Sequence, residues 1–337
     1  ISFGIGDPDL KTPNFINNAL IDGLSIPGNH NYSSSAGEKP FRDSISVWFE
    51  KRFNVSLNPD EEICALIGSK EGLAHVFRAF LNSGETIAVP NPGYPLYEHG
   101  GTILNDFNPA ILNLSAESNY IPQSDQLQET NFSGIYLNYP NNPTGAIIQQ
   151  SELDNIVNIC NDKKSIIVYD NAYSEITYGG YSAPSILQCE NARQNSIEFH
   201  SLSKTFNMTG YRIGFAVGNK TLIDGLKKIK NQIDSGSPKF IQHAAKVALE
   251  SYSNGLPPQE ILDKILFIAN NNEYIESQYQ SVDENDSLEF EQHSKGLNTE
   301  CGVFTIISQK PIKESAVLNG LALLQHRGQE AFGISYI

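Results

Sequence analysis

Hydrophobic positions change period along the chain. Over 13–24 and 40–53 apolar residues recur every three or four positions, the spacing of a helix with one buried face. From about Ile63 to Val217 the pattern becomes short apolar runs separated by longer amphipathic stretches. The runs fall at 86–89, 134–137, 165–169, 196–199 and 212–217, and helical spacing returns at 71–81 and 151–161. Continuous Ile- and Val-rich runs read as strands buried on both faces. Their alternation with helices predicts an α/β fold, a mostly parallel sheet sandwiched between helical layers. Two further helices are expected at 220–234 and 240–250. A longer one is expected at 256–280, where Ile261, Ile265, Leu266 and Ile268 share a face. The stretch 282–298 is polar and acidic and reads as a linker, after which 299–337 changes character again. No internal repeat is visible.

Composition narrows the function classes. No apolar stretch approaches the ~20 residues needed to cross a bilayer, so a soluble, cytoplasmic protein is expected. The 38 acidic side chains against 23 basic ones give a formal charge of -15, a surface that repels nucleic acid and anionic membranes. A small anionic ligand remains possible, because a few local donors outweigh a distant field. Cys64, Cys160, Cys189 and Cys301 are scattered without a CxxC pair, which favours reduced thiols, and no metal is expected. No signal peptide is visible. The chain begins at Ile1 inside a motif-like stretch, and further residues are expected to precede it.

The candidate chemistry gathers where runs end, as ligand sites in α/β sheets do. Ser201-Leu202-Ser203-Lys204 follows the run at 196–199, and Arg212 comes eight residues later. A lone lysine there would usually be solvated. Two hydroxyls and a guanidinium nearby are instead the donors a phosphate monoester needs, and an amine beside them suits Schiff-base chemistry with an aldehyde. Asp170, in Tyr169-Asp170-Asn171-Ala172-Tyr173, reads either as a helix N-cap or as a carboxylate that keeps a pyridine nitrogen protonated. Tyr173 could then donate to a ring hydroxyl. Asn138-Tyr139-Pro140-Asn141-Asn142-Pro143-Thr144-Gly145 is dense in turn residues. Gly68-Ser69-Lys70-Glu71-Gly72 precedes a helix and offers amides and a hydroxyl to an anion, or simply a cap. Tyr94, in Pro92-Gly93-Tyr94-Pro95, is either core or a platform for a flat ring.

Together the strings GIGDPDLKTP, GSKEGLAH, PNPGYPLY, NYPNNPTGA, YDNAYSEI and SLSKTFNMTGYRIGFAVG resemble the fold-type I pyridoxal-phosphate aminotransferases, closest to the LL-diaminopimelate aminotransferases. The resemblance covers about residues 1–250 and implies pyridoxal 5'-phosphate as cofactor, with an amino acid and a 2-oxo acid as substrates in ping-pong order. It implies that Lys204 holds the cofactor and shuttles the Cα proton, and that Asp170 pairs with the ring nitrogen. Asn142 and Tyr173 would bond the ring hydroxyl, and Tyr94 would stack on the ring. Ser69, the Lys70 amide, Ser201, Ser203 and Arg212 would bind the phosphate beside Gly68. Tyr32 would reach the phosphate of the neighbouring subunit in a homodimer, and Gly6, with Asn142, would line the substrate pocket. The implied domains are an N-terminal segment at 1–30, a cofactor-binding large domain at 31–255 and a helix with polar linker at 256–298.

The family's small C-terminal domain carries an arginine that clamps the substrate carboxylate. Here the only arginine after Arg212 is Arg327, in a different context. The segment from about 280 to 337 instead resembles the start of amidophosphoribosyltransferase, through Thr299-Glu300-Cys301-Gly302-Val303-Phe304 and 324–331, with 299–337 as the fragment's own domain. That resemblance would make Cys301 a glutaminase nucleophile. A glutaminase domain needs on the order of 200 residues, so a truncated fragment joined by fusion or by an assembly of partial coding regions is expected. Three readings follow: an active aminotransferase, a chain that holds the cofactor but turns over poorly for want of the clamp, or a fusion that also releases ammonia.

Overall fold

The computed structural model describes Pro8 and residues 10–265. Seven strands form one mixed sheet: β1 (Ile63–Leu66), β2 (Thr86–Asn91), β3 (Asn108–Asn113), β4 (Gly134–Asn138), β5 (Ile166–Asp170), β6 (Ser196–Ser201) and β7 (Gly214–Gly218). Their order is β1-β7-β6-β5-β4-β2-β3. All neighbours are parallel except β7, which runs antiparallel to both β1 and β6. The helices are α1 (Asn14–Ser25), α2 (Lys39–Phe53), α3 (Ser69–His75), α4 (Pro95–Glu98), α5 (Ser124–Glu129), α6 (Gln150–Lys163), α7 (Leu202–Thr205), α8 (Lys220–Lys230) and α9 (Lys239–Glu250). Residues 259–265 are helical as well.

The expected sandwich is present, and the period-two rule explains its two cores. Ile135 and Leu137 of β4, Tyr169 of β5 and Phe215 and Val217 of β7 join one cluster, with Phe41, Trp48 and Phe49 of α2. The intervening Tyr136, Val168, Phe199 and Ala216 join the other, with Leu73 of α3 and Leu222 and Leu226 of α8. Local signals set several helix ends. Asn219 accepts from Thr221 N and Leu222 N to start α8, and a Gln149–Glu152 capping box starts α6. α2 closes on Asn54 in the left-handed region (φ 55°). Cys64, Cys160 and Cys189 are buried without a disulfide, and burial pushes the first two thiols up to about 12.

Two strands escape the hydrophobic pattern. β1 has only four residues, all buried, too few to establish a period. β3 is an edge strand with Asn108 and Asn113 at its ends and Pro109 inside, a position where a missing N–H is tolerated. The helix expected over 71–81 is shorter: α3 starts at Ser69, ends at His75, and a 3-10 turn follows over Val76–Ala79. The Phe80 ring then lies against Gly225 of α8, where a Cβ would fall 2.2 Å from it. Of the long helix expected at 256–280, residues 256–265 fall in the described residues; the helix there starts at 259, not 256, and the stretches 282–298 and 299–337 lie outside the described residues. Among the described residues no helix is long and apolar enough to cross a membrane.

Gly214, the first residue of β7, lies close against backbone of β6 and α3. A Cβ there would lie 2.6 Å from the His200 carbonyl oxygen and 2.9 Å from the Ser69 amide nitrogen, both backbone atoms that cannot turn away. Gly214→Ala is therefore expected to cost about 1–3 kcal/mol in urea denaturation. Gly210→Ala, where nothing lies within 4 Å of the new methyl, should stay within about 0.5 kcal/mol of the parent.

Candidate active site

Because β1, β2, β4, β5 and β6 point the same way, their C-terminal ends share one edge of the sheet. A cavity of about 470 Å³ opens along that edge. The site residues named from the sequence converge on it: Ser69, Lys70, Tyr94, Asn142, Asp170, Tyr173, Ser201, Ser203, Lys204 and Arg212 all line its wall. Gly68 stands just behind. It is left-handed (φ 72°), and a Cβ on it would lie 2.5 Å from Arg212 Nη2, so both backbone and space require glycine there. Tyr32 lies apart from this wall and is 87% exposed. Gly6 and Cys301 fall outside the described residues.

The cavity wall carries two chemically distinct sets of residues. Ser69 and Ser203 are buried hydroxyls, while Arg212 is exposed. Ser201 caps α7 by accepting from Ser203 N at 3.3 Å, which aligns the short helix carrying Lys204. Arg212 is itself left-handed (φ 53°), and its Nη1 donates to Thr209 O at 2.8 Å, aiming the guanidinium back toward Gly68. Hydroxyls and a guanidinium in one wall make an anion-binding set.

The other set is built on Asp170, the last residue of β5 and only 5% exposed. Tyr97 OH donates to its Oδ2 at 2.9 Å, and Ala172 N to its Oδ1 at 3.2 Å. The N-cap alternative for Asp170 gives way to this local turn. Burial pushes the carboxyl up to about 6, against the downward pull of the Tyr97 and Ala172 hydrogen bonds and of His200. A buried carboxylate held this way favours a cation placed against it. Asn138 ties the neighbouring strand ends together, donating to Asp170 O at 2.9 Å and accepting from Asn142 N at 2.7 Å. The Asn142 side-chain oxygen is buried without a hydrogen-bond partner in a wall of the cavity. A half-turn of that amide exchanges acceptor for donor, so it can serve a ligand of either kind. The Lys70 ammonium stands 5.5 Å from the centre of the Tyr94 ring.

Three contributors were not singled out in the sequence. Tyr97 is fully buried, stacked on Tyr136 at 4.8 Å and edge-on to Tyr94. It sits inside the string PNPGYPLY, where it reads as core, and only the fold brings it to Asp170. Glu198, fully buried on β6, accepts from Asn171 Nδ2 and Ile186 N and meets His200 Nε2 at 2.8 Å. It thereby anchors the residue that follows Asp170. Lys264, from the helix at 259–265, reaches the backbone of α7. Among the described residues no group of three or more His, Cys, Asp or Glu side chains is placed to hold a metal ion.

Comparison with known proteins adds the family context. The pattern of the family "Aminotransferase class I and II" matches residues 1–285. The chain is 42% identical over 259 residues to LL-diaminopimelate aminotransferase of Desulforudis audaxviator, covering 76% of this chain and 66% of that protein. It is 44% identical over 264 residues to LL-diaminopimelate aminotransferase of Aquifex aeolicus, covering 77% and 67%. The chain thus spans about two thirds of the length of these curated relatives. Among solved structures, an aminotransferase from Staphylococcus aureus superposes with a TM-score of 0.76 at 33% identity, over 83% of this chain and 73% of that one.

The raised Asp170 carboxyl has a sign that can be checked. Its folded-state value, about 6, lies above the usual 3.8, so the folded chain binds the proton more tightly than the unfolded chain. Relative to Asp170→Asn, the ligand-free protein should lose on the order of 1–3 kcal/mol as pH rises from about 4 through about 6, then level off. Chemical denaturation at a series of pH values reads this directly. In Tyr97→Phe, which removes a donor that favours the carboxylate, the upper end of that window should move to higher pH.

Proposed function

We propose that this chain, which belongs to the aminotransferase class I and II family, is a pyridoxal 5'-phosphate enzyme that moves an amino group from LL-diaminopimelate, or an acidic amino acid, to a 2-oxo acid. The observation that carries the reading is the pairing, in one cavity, of an anion-binding set of groups with a buried carboxylate, and Lys204 in the same wall. The donor is drawn from the names of the relatives, which are LL-diaminopimelate aminotransferases at 42% and 44% identity.

The residues present fit the cofactor on three counts. The hydroxyls of Ser69, Ser201 and Ser203 and the Arg212 fork match a phosphate dianion. Asp170 matches a ring nitrogen that carries a proton. The Asn142 side-chain amide, whose oxygen is buried without a partner, matches a ring hydroxyl together with Tyr173. Bound pyridoxal phosphate supplies an aldehyde carbon that takes up amines and a cationic ring that draws electrons away from the substrate Cα.

The chain's own groups then have distinct tasks. Lys204 would hold the cofactor, and its amine would then be the group that takes the proton from the substrate Cα and returns it during the transfer. Asp170 keeps the ring nitrogen protonated through those transfers. Tyr94 covers a face of the ring, and the phosphate end fixes its position while the other end reacts. Tyr32 completes the phosphate site of a second copy in a cytoplasmic homodimer, and Gly6 borders the substrate. The likeness of the tail from 299 to amidophosphoribosyltransferase rests on two short strings, and the family match ends at 285.

Absorbance of the purified chain with added pyridoxal phosphate is the first test, followed by LL-diaminopimelate and 2-oxoglutarate with glutamate as the readout. A band that depends on Lys204 and is followed by glutamate supports the reading. Lys204→Ala should lose the band and lower turnover by about a hundredfold to ten-thousandfold. Arg212→Lys, which keeps the charge but not the planar fork, should weaken cofactor binding about tenfold or more. A band without glutamate would reduce the chain to a cofactor-holding protein, and no band would overturn the proposal.

A further inference from the structure

α7 is only four residues long, so most of its backbone groups need partners from outside the helix. Ser201 answers its first turn. The carbonyls of Leu202 and Ser203 accept from Phe206 N and Met208 N, both at 3.1 Å. Those of Lys204 and Thr205 accept from the side chain of Lys264: its ammonium bonds Lys204 O directly and stands 3.4 Å from Thr205 O. The same ammonium donates to Asn207 Oδ1. Lys264 is 7% exposed, between Ile261 and Ile265, which are buried at 1% and 8%. An ammonium has three N–H donors, and three acceptors from the Lys204 turn surround this one.

Asn207 extends the arrangement. It is left-handed (φ 53°), its Nδ2 donates to Lys11 O at 3.2 Å, and its own carbonyl accepts from Thr12 Oγ1 at 2.6 Å. The turn after Lys204 is therefore held from two sides, by the N-terminal segment through Asn207 and by the helix at 259–265 through Lys264. A buried charge in that place has a cost that a neutral side chain would avoid. Packing alone would be served by a methionine or a leucine.

We propose that Lys264 is a positioning residue for Lys204: its buried ammonium fixes the turn that presents the Lys204 amine and places a positive charge on that turn. This rests on the proposed cofactor role of Lys204. The charge disfavours a further proton on the nitrogen that Lys204 offers to the cofactor, since buried like charges are weakly screened. The hydrogen bonds govern how firmly the cofactor is held, and the charge governs the pH at which the bound cofactor's absorbance changes.

The test uses the full chain with pyridoxal phosphate and two variants. Lys264→Gln keeps two N–H donors and removes the charge; Lys264→Met removes both. Cofactor affinity is read by fluorescence quenching, and the absorbance of the bound cofactor is titrated with pH. Both variants should move the titration midpoint to higher pH, by roughly half a unit or more. Lys264→Met should also weaken affinity about tenfold or more, and Lys264→Gln by less. If Lys264→Met does not fold, the midpoint of Lys264→Gln still decides the matter. A Gln variant with the parent's midpoint would overturn the proposal, even if its thermal stability fell, because that would be a packing role only. A parent chain with no Lys204-dependent band would instead overturn the functional reading on which this one stands.

Discussion

A carboxylate taken out of water at the end of a central strand is the constraint around which this protein is arranged. Asp170 is 5% exposed, and burial alone drives its carboxyl toward the neutral form. Tyr97 and the Ala172 amide oppose that shift without cancelling it. A buried charge is costly, so the ionised form of this carboxyl calls for a cation placed against it. The surrounding fold keeps that demand intact. Asn138 bonds the β4 and β5 ends together, Glu198 pins Asn171, and Tyr97 is stacked in the core and cannot swing away.

The same cavity also suits an anion, with Ser69, Ser201, Ser203 and Arg212 in the wall. A ligand that satisfies both sets of groups carries a cationic group and a phosphate-like group. It must also tolerate an amine, since Lys204 shares the wall. Pyridoxal phosphate meets those conditions, which is why the geometry and the family membership point the same way. The sheet topology makes the convergence possible. Parallel strands bring their C-terminal ends to one edge, and the single reversed strand, β7, lets the chain pass Arg212 and Gly214 back along that edge.

Much of this was legible in the sequence because the chemistry is written in short strings at strand ends. Lys204, Asp170, Asn142 and Ser69 each stand within a few residues of a strand's last position, where local order fixes their direction. What stayed hidden depends on distance along the chain. Tyr97 lies 73 residues from Asp170 and looks like any core aromatic until the sheet register is known. Lys264 lies 60 residues from Lys204, on a stretch where the sequence singled out only the apolar face. β1 and β3 were missed for the opposite reason: their residues carry too weak a pattern, one being too short and the other broken by Pro109 and bounded by asparagines. In each case a long-range contact, not local preference, decides the outcome.

The most direct test of the account is the ¹⁵N chemical shift of pyridoxal phosphate, labelled at its ring nitrogen and bound to the full chain. If Asp170 is the partner of that nitrogen, the shift should report a protonated ring through neutral pH, and an unprotonated ring in Asp170→Asn. An unprotonated ring nitrogen in the parent chain, or one indifferent to Asp170, would contradict the central claim.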